Sequence, residues 1–285
     1  MVLDKARWVM NPSTLVGAVE GVLAARGDSV LSRAELMGLS GYAFRLAVSD
    51  TVGWMDDPGG DGIEESAGQL VLRAGRQSGF SPRLILGNER QPGGRDSRKT
   101  IWKEVQRNLD QGQPVILHQW GCRVVRGYDP EKELYLVSSW DEEGWMPFDE
   151  IPDRDTGDFG AFFPGERRPV DLGQAGKPYR ETALQMSRQE DQGGLSHGLR
   201  AYERWISALE QDQITDHWAN AFHLELLLGA RQDAAAYLDT LAGHSDKRAA
   251  AHLSRAAAHY QKESESLQAL NQLLGFAPPG PARPP

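Results

Sequence analysis

Residues Gln113–Asp141, QPVILHQWGCRVVRGYDPEKELYLVSSWD, decide the fold. Three runs rich in β-branched and large apolar residues read as strands: Val115–Gln119, Arg123–Gly127 and Leu134–Ser138. A turn through Gly121 separates the first two, and Tyr128–Glu133 separates the second from the third. Ile101–Asp110 precedes them as a helix that stops at the Gln-Gly-Gln-Pro sequence 111–114.

Moving upstream, Ser13–Arg26 reads as a helix, with small and apolar residues Val16, Val19, Gly21, Val22, Leu23 and Ala24 and a stop at Gly27. Asn11 or Ser13 supplies its cap, and Pro12 suits a first turn. Ser32 with Glu35 three residues on is a capping box that opens a second helix. The breaks at Gly38, Ser40 and Gly41 end it, and Tyr42–Val48 reads as a strand. Asp56–Gly62 is a loop, Ile63–Ser78 a third helix, Pro82–Leu86 a short strand, and Gly87–Lys99 a long polar loop.

Downstream, Trp145–Ile151 and Gly160–Phe163 read as the last two strands of the region, and Pro164–Pro169 as a hinge. Composition changes there: Gly and Pro thin out beyond Tyr179 while Ala and Leu rise. Helices are expected at residues 178–190, 195–210, 215–228, 230–242 and 246–274. Leu195, Leu199, Tyr202, Ile206 and Leu209 form an apolar stripe along the second of these. Short links imply antiparallel neighbours and hence a bundle. The Pro-rich tail, residues 276–285, has no means of burying apolar surface and is expected to be disordered.

A chain of 285 residues with 40% hydrophobic and 25% charged residues suits two soluble domains. Its net charge of −9 argues against a sequence-independent nucleic-acid binder, which needs a basic surface to displace counterions. No apolar run is long enough for a membrane span. The N-terminus lacks a basic segment followed by an apolar core, and the single cysteine, Cys122, cannot form an internal disulfide; both lead us to expect a cytoplasmic protein. The histidine spacings, His217 with His223 and His252 with His259, do not converge on one ion, so no metal and no cofactor is expected.

Three stretches carry a family resemblance: PSTLVGAVEGVLAARG (12–27), ELMGLSGYAFRL (35–46) and GCRVVRGYD (121–129). Over residues 11–168 the chain resembles papain-like cysteine peptidases of the bacteriocin-processing type and the N-terminal domain of the butirosin-biosynthesis acyltransferase group. GLRAYERWISALE (198–210) is similar to a helical extension found in bacterial proteins of this kind. The resemblance implies an α+β fold, a papain-like domain over 1–168 followed by an all-α helical bundle over 169–275. It puts the nucleophile position on Ser13 or, with a one-residue slip, Thr14. The histidine position falls on Gly121 or Cys122, and the third position on Ser138, Ser139 or Asp141. None of the three catalytic identities is kept.

The chemistry follows from that loss. A thiolate or an activated serine needs an adjacent base, and no histidine stands at the start of the second strand. His118, at the end of the strand before it, is the nearest imidazole in sequence and shares a face with Ile116. Cys122 reads either as a small buried residue or as a reactive thiol beside Arg123. Thr14, Trp120, Gly121, Ser139, Trp140 and Asp141 would line the cleft. The leading expectation is a catalytically degenerate domain that binds a peptide, an amino-acid derivative or a carrier-bound acyl group. The alternatives are a hydrolase or acyltransferase using Ser13 with His118, or Cys122, and a structural protein that forms a homodimer.

Overall fold

The computed structural model describes residues 1–11, 13–27, 31–52, 76, 79–118, 121–140, 142–154, 156–166, 183–184, 187–188, 191 and 194–274. The expected helices at 63–78 and 178–190, the loop at 56–62 and the tail at 276–285 fall wholly or mostly outside them. The chain is mixed α+β. Among the described residues it holds six helices, a six-stranded antiparallel sheet and a two-stranded ribbon. It divides into two compact units, one built on Met1–Ser32 and Asp61–Arg168, the other on Arg33–Gly60 and Pro169–Pro278. The second unit thus includes Arg33–Gly60, a stretch that lies inside the span 1–168 expected to form the first domain.

In the first unit the sheet runs β2-β7-β3-β4-β5-β6, with β2 Arg83–Asn88, β3 Val115–His118, β4 Cys122–Asp129, β5 Leu134–Ser138, β6 Glu143–Pro147 and β7 Asp158–Phe163. Strand alternation gives it two unlike faces. One face carries Val115, Leu117, Val125, Tyr135, Val137, Phe159, Ala161 and Phe163, and these bury Ile101, Val105 and Leu109 of helix α3, Gly94–Asp110. That helix starts inside the stretch expected to be a polar loop. Gly93, at φ 87°, turns the chain, and the apolar residues from Ile101 onward anchor the helix on the sheet.

The opposite face carries Ile116, His118, Cys122, Val124 and Ser138, in register with one another across β3, β4 and β5. Helix α1, Thr14–Ala25, packs there on β4 and β3. Two of its glycines explain how it is held from behind. A Cβ on Gly17 would meet the Val9 carbonyl oxygen at 2.3 Å, and one on Gly21 the Arg7 carbonyl oxygen at 1.8 Å. The N-terminal segment thus runs directly over the helix, and the Val9 N–H donates to the Gly17 carbonyl at 3.1 Å.

In the second unit, α2 (Arg33–Ser40) packs on α5, His217–Gly243, which pairs along its length with α6, Lys247–Leu274. The sequence predicted two helices across 215–242. A single one forms, because the tertiary burial of its flanks, from Leu224 to Leu241, outweighs the roughly 1 kcal/mol that Gly229 costs a helix interior. Tyr42–Val48 is not the expected strand: Tyr42–Phe44 is one 3-10 turn, and only Ala47–Val48 (β1) is extended, paired with Ser196–His197 (β8). Leu46, Val48 and Val52 then share a core with Trp205, Ala208, Ile214, Leu224 and Leu227, which is why this segment joins the second unit.

Helix α4, Gly198–Glu210, buries Ala201, Trp205 and Ala208. The expected apolar stripe is mostly outside: Leu199, Ile206 and Leu209 are exposed. The large indole of Trp205, whose Nε1 donates to Asn220 Oδ1 at 2.8 Å, sets the rotation of the helix.

Arg231 ties these pieces together. It is 2% exposed; Nη1 donates to the Ala43 and Arg45 carbonyls at 2.6 and 3.3 Å, and Nε donates to Tyr202 Oη and Glu263 Oε1, both at 2.8 Å. Burial pushes the Tyr202 hydroxyl up, so the phenol stays neutral and bridges arginine and glutamate. Arg231→Ala removes all of these bonds at once. We expect it to destabilise the second unit by about 3 kcal/mol in urea unfolding, the low end for breaking a buried pair because Glu263 keeps 29% of its side chain exposed.

Candidate functional site

The head of α1 meets the start of β4. Ser13 is the helix cap: its backbone is extended at φ −83° and ψ 116°, and its Oγ accepts from the Val16 N–H at 3.3 Å. Its own N–H donates to Asn11 Oδ1 at 2.9 Å, and the residue is 4% exposed. Both Asn11 and Ser13 therefore serve the helix start, as their residue types favour.

Thr14, one residue on, points at the sheet. Its Oγ1 accepts from the Cys122 N–H at 2.9 Å. A Cβ on Gly121 would lie 3.4 Å from that oxygen, in ordinary van der Waals contact. The two positions that the resemblance pairs, at the helix head and at the strand start, thus come together in space, and the slipped alignment on Thr14 is the one that faces β4. The Thr14 carbonyl in turn accepts from Trp8 Nε1 at 2.9 Å, and the Trp8 N–H donates to Ser138 Oγ at 3.1 Å.

Cys122 is 1% exposed and stands in register opposite His118, on the face that carries α1. Arg123 goes to the other face, where its guanidinium reaches Met146 Sδ at 3.3 Å and the Glu142 carboxylate at 3.9 Å. Strand alternation separates it from the thiol. His118 is half-buried and also pairs with Gly160 of β7.

Ser139 and Trp140 are half-buried in the β5–β6 turn. Ser139 Oγ donates to the Glu142 carbonyl and accepts from the Glu142 N–H, each at 3.1 Å, so its hydroxyl closes the hairpin. Trp120 and Asp141 lie outside the described residues. Of the three candidates for the third position, Ser138 is 4% exposed and bonded to Trp8, and Ser139 holds a turn.

The Trp8–Thr14–Cys122 and Trp8–Ser138 links were not legible in the sequence. Thr14 and Cys122 are separated by 108 residues in the chain and Trp8 and Ser138 by 130, and no local pattern marks them. Among the described residues, no three His, Cys, Asp or Glu side chains gather as a metal site, and no helix is long and apolar enough to cross a membrane. No protein-family model matches the chain, and no curated protein matches it.

Thr14→Val keeps the side-chain shape but removes the acceptor for the Cys122 N–H. We expect a loss of about 1–3 kcal/mol in urea unfolding and faster hydrogen exchange at the Cys122 amide, with Thr14→Ser close to the parent on both measures.

Proposed function

We propose that the first unit is a catalytically degenerate papain-like domain. Its role would be to bind a peptide, an amino-acid derivative or a carrier-bound acyl group where the head of α1 meets β4. One observation carries this reading: Thr14 accepts a hydrogen bond from the Cys122 backbone N–H across that seam. A nucleophile in this place needs a base at the strand start, and the residues there are Gly121 and Cys122. The hydroxyl is a structural acceptor rather than an activated group. Ser13, the other candidate, is buried and caps the helix.

The rival is a hydrolase or acyltransferase with Cys122 as nucleophile, favoured by the register that sets His118 opposite it. Against this stands access: at 1% exposure the thiol offers an incoming carbonyl no approach. The two readings part on labelling. Under native conditions neither iodoacetamide nor a fluorophosphonate should form an adduct, and peptide and thioester substrates should not be hydrolysed. A covalent adduct mapped by mass spectrometry to Cys122 or Ser13 would favour the enzyme and end the degenerate reading.

Ser13→Ala adds a second check. It should lower stability by about 0.5–2 kcal/mol, as for any lost helix cap, and introduce no other change.

A further inference from the structure

Helix α6 carries one face that departs from the acidic character of the chain. Arg248, His252, Arg255, His259 and Lys262 are all exposed, at spacings of four, three, four and three residues. At 100° per residue they fall within roughly 80° of arc and run about 21 Å along the helix. Arg255 Nη2 donates to His252 Nδ1 at 2.7 Å, which holds two of the five side by side.

An ordinary solvated helix face alternates opposite charges at these spacings. This one places no carboxylate between its bases for four turns. The helix has two acids: Glu263 is turned inward onto Arg231, and Glu265 lies on another flank, where it accepts from Gln261. Elsewhere in the same unit four arginines are matched: Arg33 meets Asp233, Arg200 meets Asp191, Arg204 meets Asp50 and Arg231 meets Glu263. Among the described residues no carboxylate pairs with any of the five.

The same face continues past Ser266 to Leu270 and Leu273, which are 37% and 84% exposed. A row of bases that ends in two bare leucines has a chemical complement. We infer that this face of α6 docks an acidic amphipathic helix of a partner protein, with carboxylates at helical spacing along the row and apolar residues seated on Leu270 and Leu273. Charge complementarity sets register and encounter rate, and the leucines supply the apolar anchor. A nucleic acid fits poorly: the chain as a whole is at −9, and the row has no aromatic platform for bases. A membrane surface fits poorly too, because the apolar part is confined to one end rather than forming a full face.

The test uses the full chain and a fluorescent helical peptide with glutamates at positions i, i+4, i+7, i+11 and i+14 and two leucines beyond them. Anisotropy should show saturable binding that weakens about tenfold between about 50 and 300 mM salt. Arg255→Glu combined with Lys262→Glu should weaken it by about tenfold or more, and Leu273→Ser by about threefold. These side chains are exposed, so circular dichroism should show an unchanged fold. No saturation by about 1 mM peptide, or equal binding by the charge-reversed variant, overturns the proposal. So does tighter binding of anionic phosphatidylglycerol vesicles or of a 20-nucleotide single strand than of the peptide.

Discussion

The close approach of backbone to backbone at Gly17 and Gly21 is the constraint on which the first unit turns. With no Cβ at either place, Arg7–Val9 lies flat on α1, and the helix is held between that segment and the β3–β4 strands. The clamp fixes the helix along its axis as well as across it. Its head then stands where Thr14 reaches the first peptide of β4, and Trp8 is placed to bond both Thr14 and Ser138. A larger residue at Gly21 would have to displace a carbonyl oxygen now 1.8 Å from where its Cβ would lie. The geometry of the whole seam therefore descends from two absent methyl groups.

Hydrogen bonding at that seam occupies the hydroxyls on which our proposal of a binding rather than a catalytic role rests. Among the described residues, each hydroxyl that the family resemblance would make reactive is engaged in holding structure: Ser13 caps, Thr14 receives an amide proton, Ser138 receives another, and Ser139 closes a turn. A catalytic hydroxyl or thiol requires a partner that removes its proton, together with room for a substrate. Cys122 is sealed in the face between strand and helix. Helix head and strand start meet at Thr14 and Cys122, and the groups found there hold the seam together.

The second unit has a different organising principle. Its helices surround Arg231, whose guanidinium satisfies one carbonyl in the 3-10 turn and one just after it, a phenol on α4 and a carboxylate on α6. Such a buried cation is costly to desolvate and is retained only when its donors are met by fixed acceptors. It specifies how the pieces meet. A Cβ on Gly38 would fall 2.1 Å from the Tyr237 ring, so α2 and α5 are in similarly close contact. With the interior so specified, the outer face of α6 carries a row of bases that no carboxylate among the described residues pairs with.

Local pattern was enough to locate β3, β4 and β5 and the start of α1 with its serine cap, because alternation, capping and turn residues act over a few positions. Where distant partners decide, the pattern misled. Gly229 did not break α5, the polar stretch before Ile101 became the first turns of a helix, and the stripe of α4 faced outward because Trp205 found Asn220. Residues 33–60 joined the later unit because β1 pairs with β8 and Leu46 and Val48 are buried with Trp205. The amino-acid sequence by itself determined the class of fold and the residue types at the seam. Only tertiary structure decided that Thr14 bonds the first peptide of β4 while Ser13 caps the helix. That choice depends on how far α1 slides beneath Arg7–Val9, a contact between backbones that no side-chain pattern encodes.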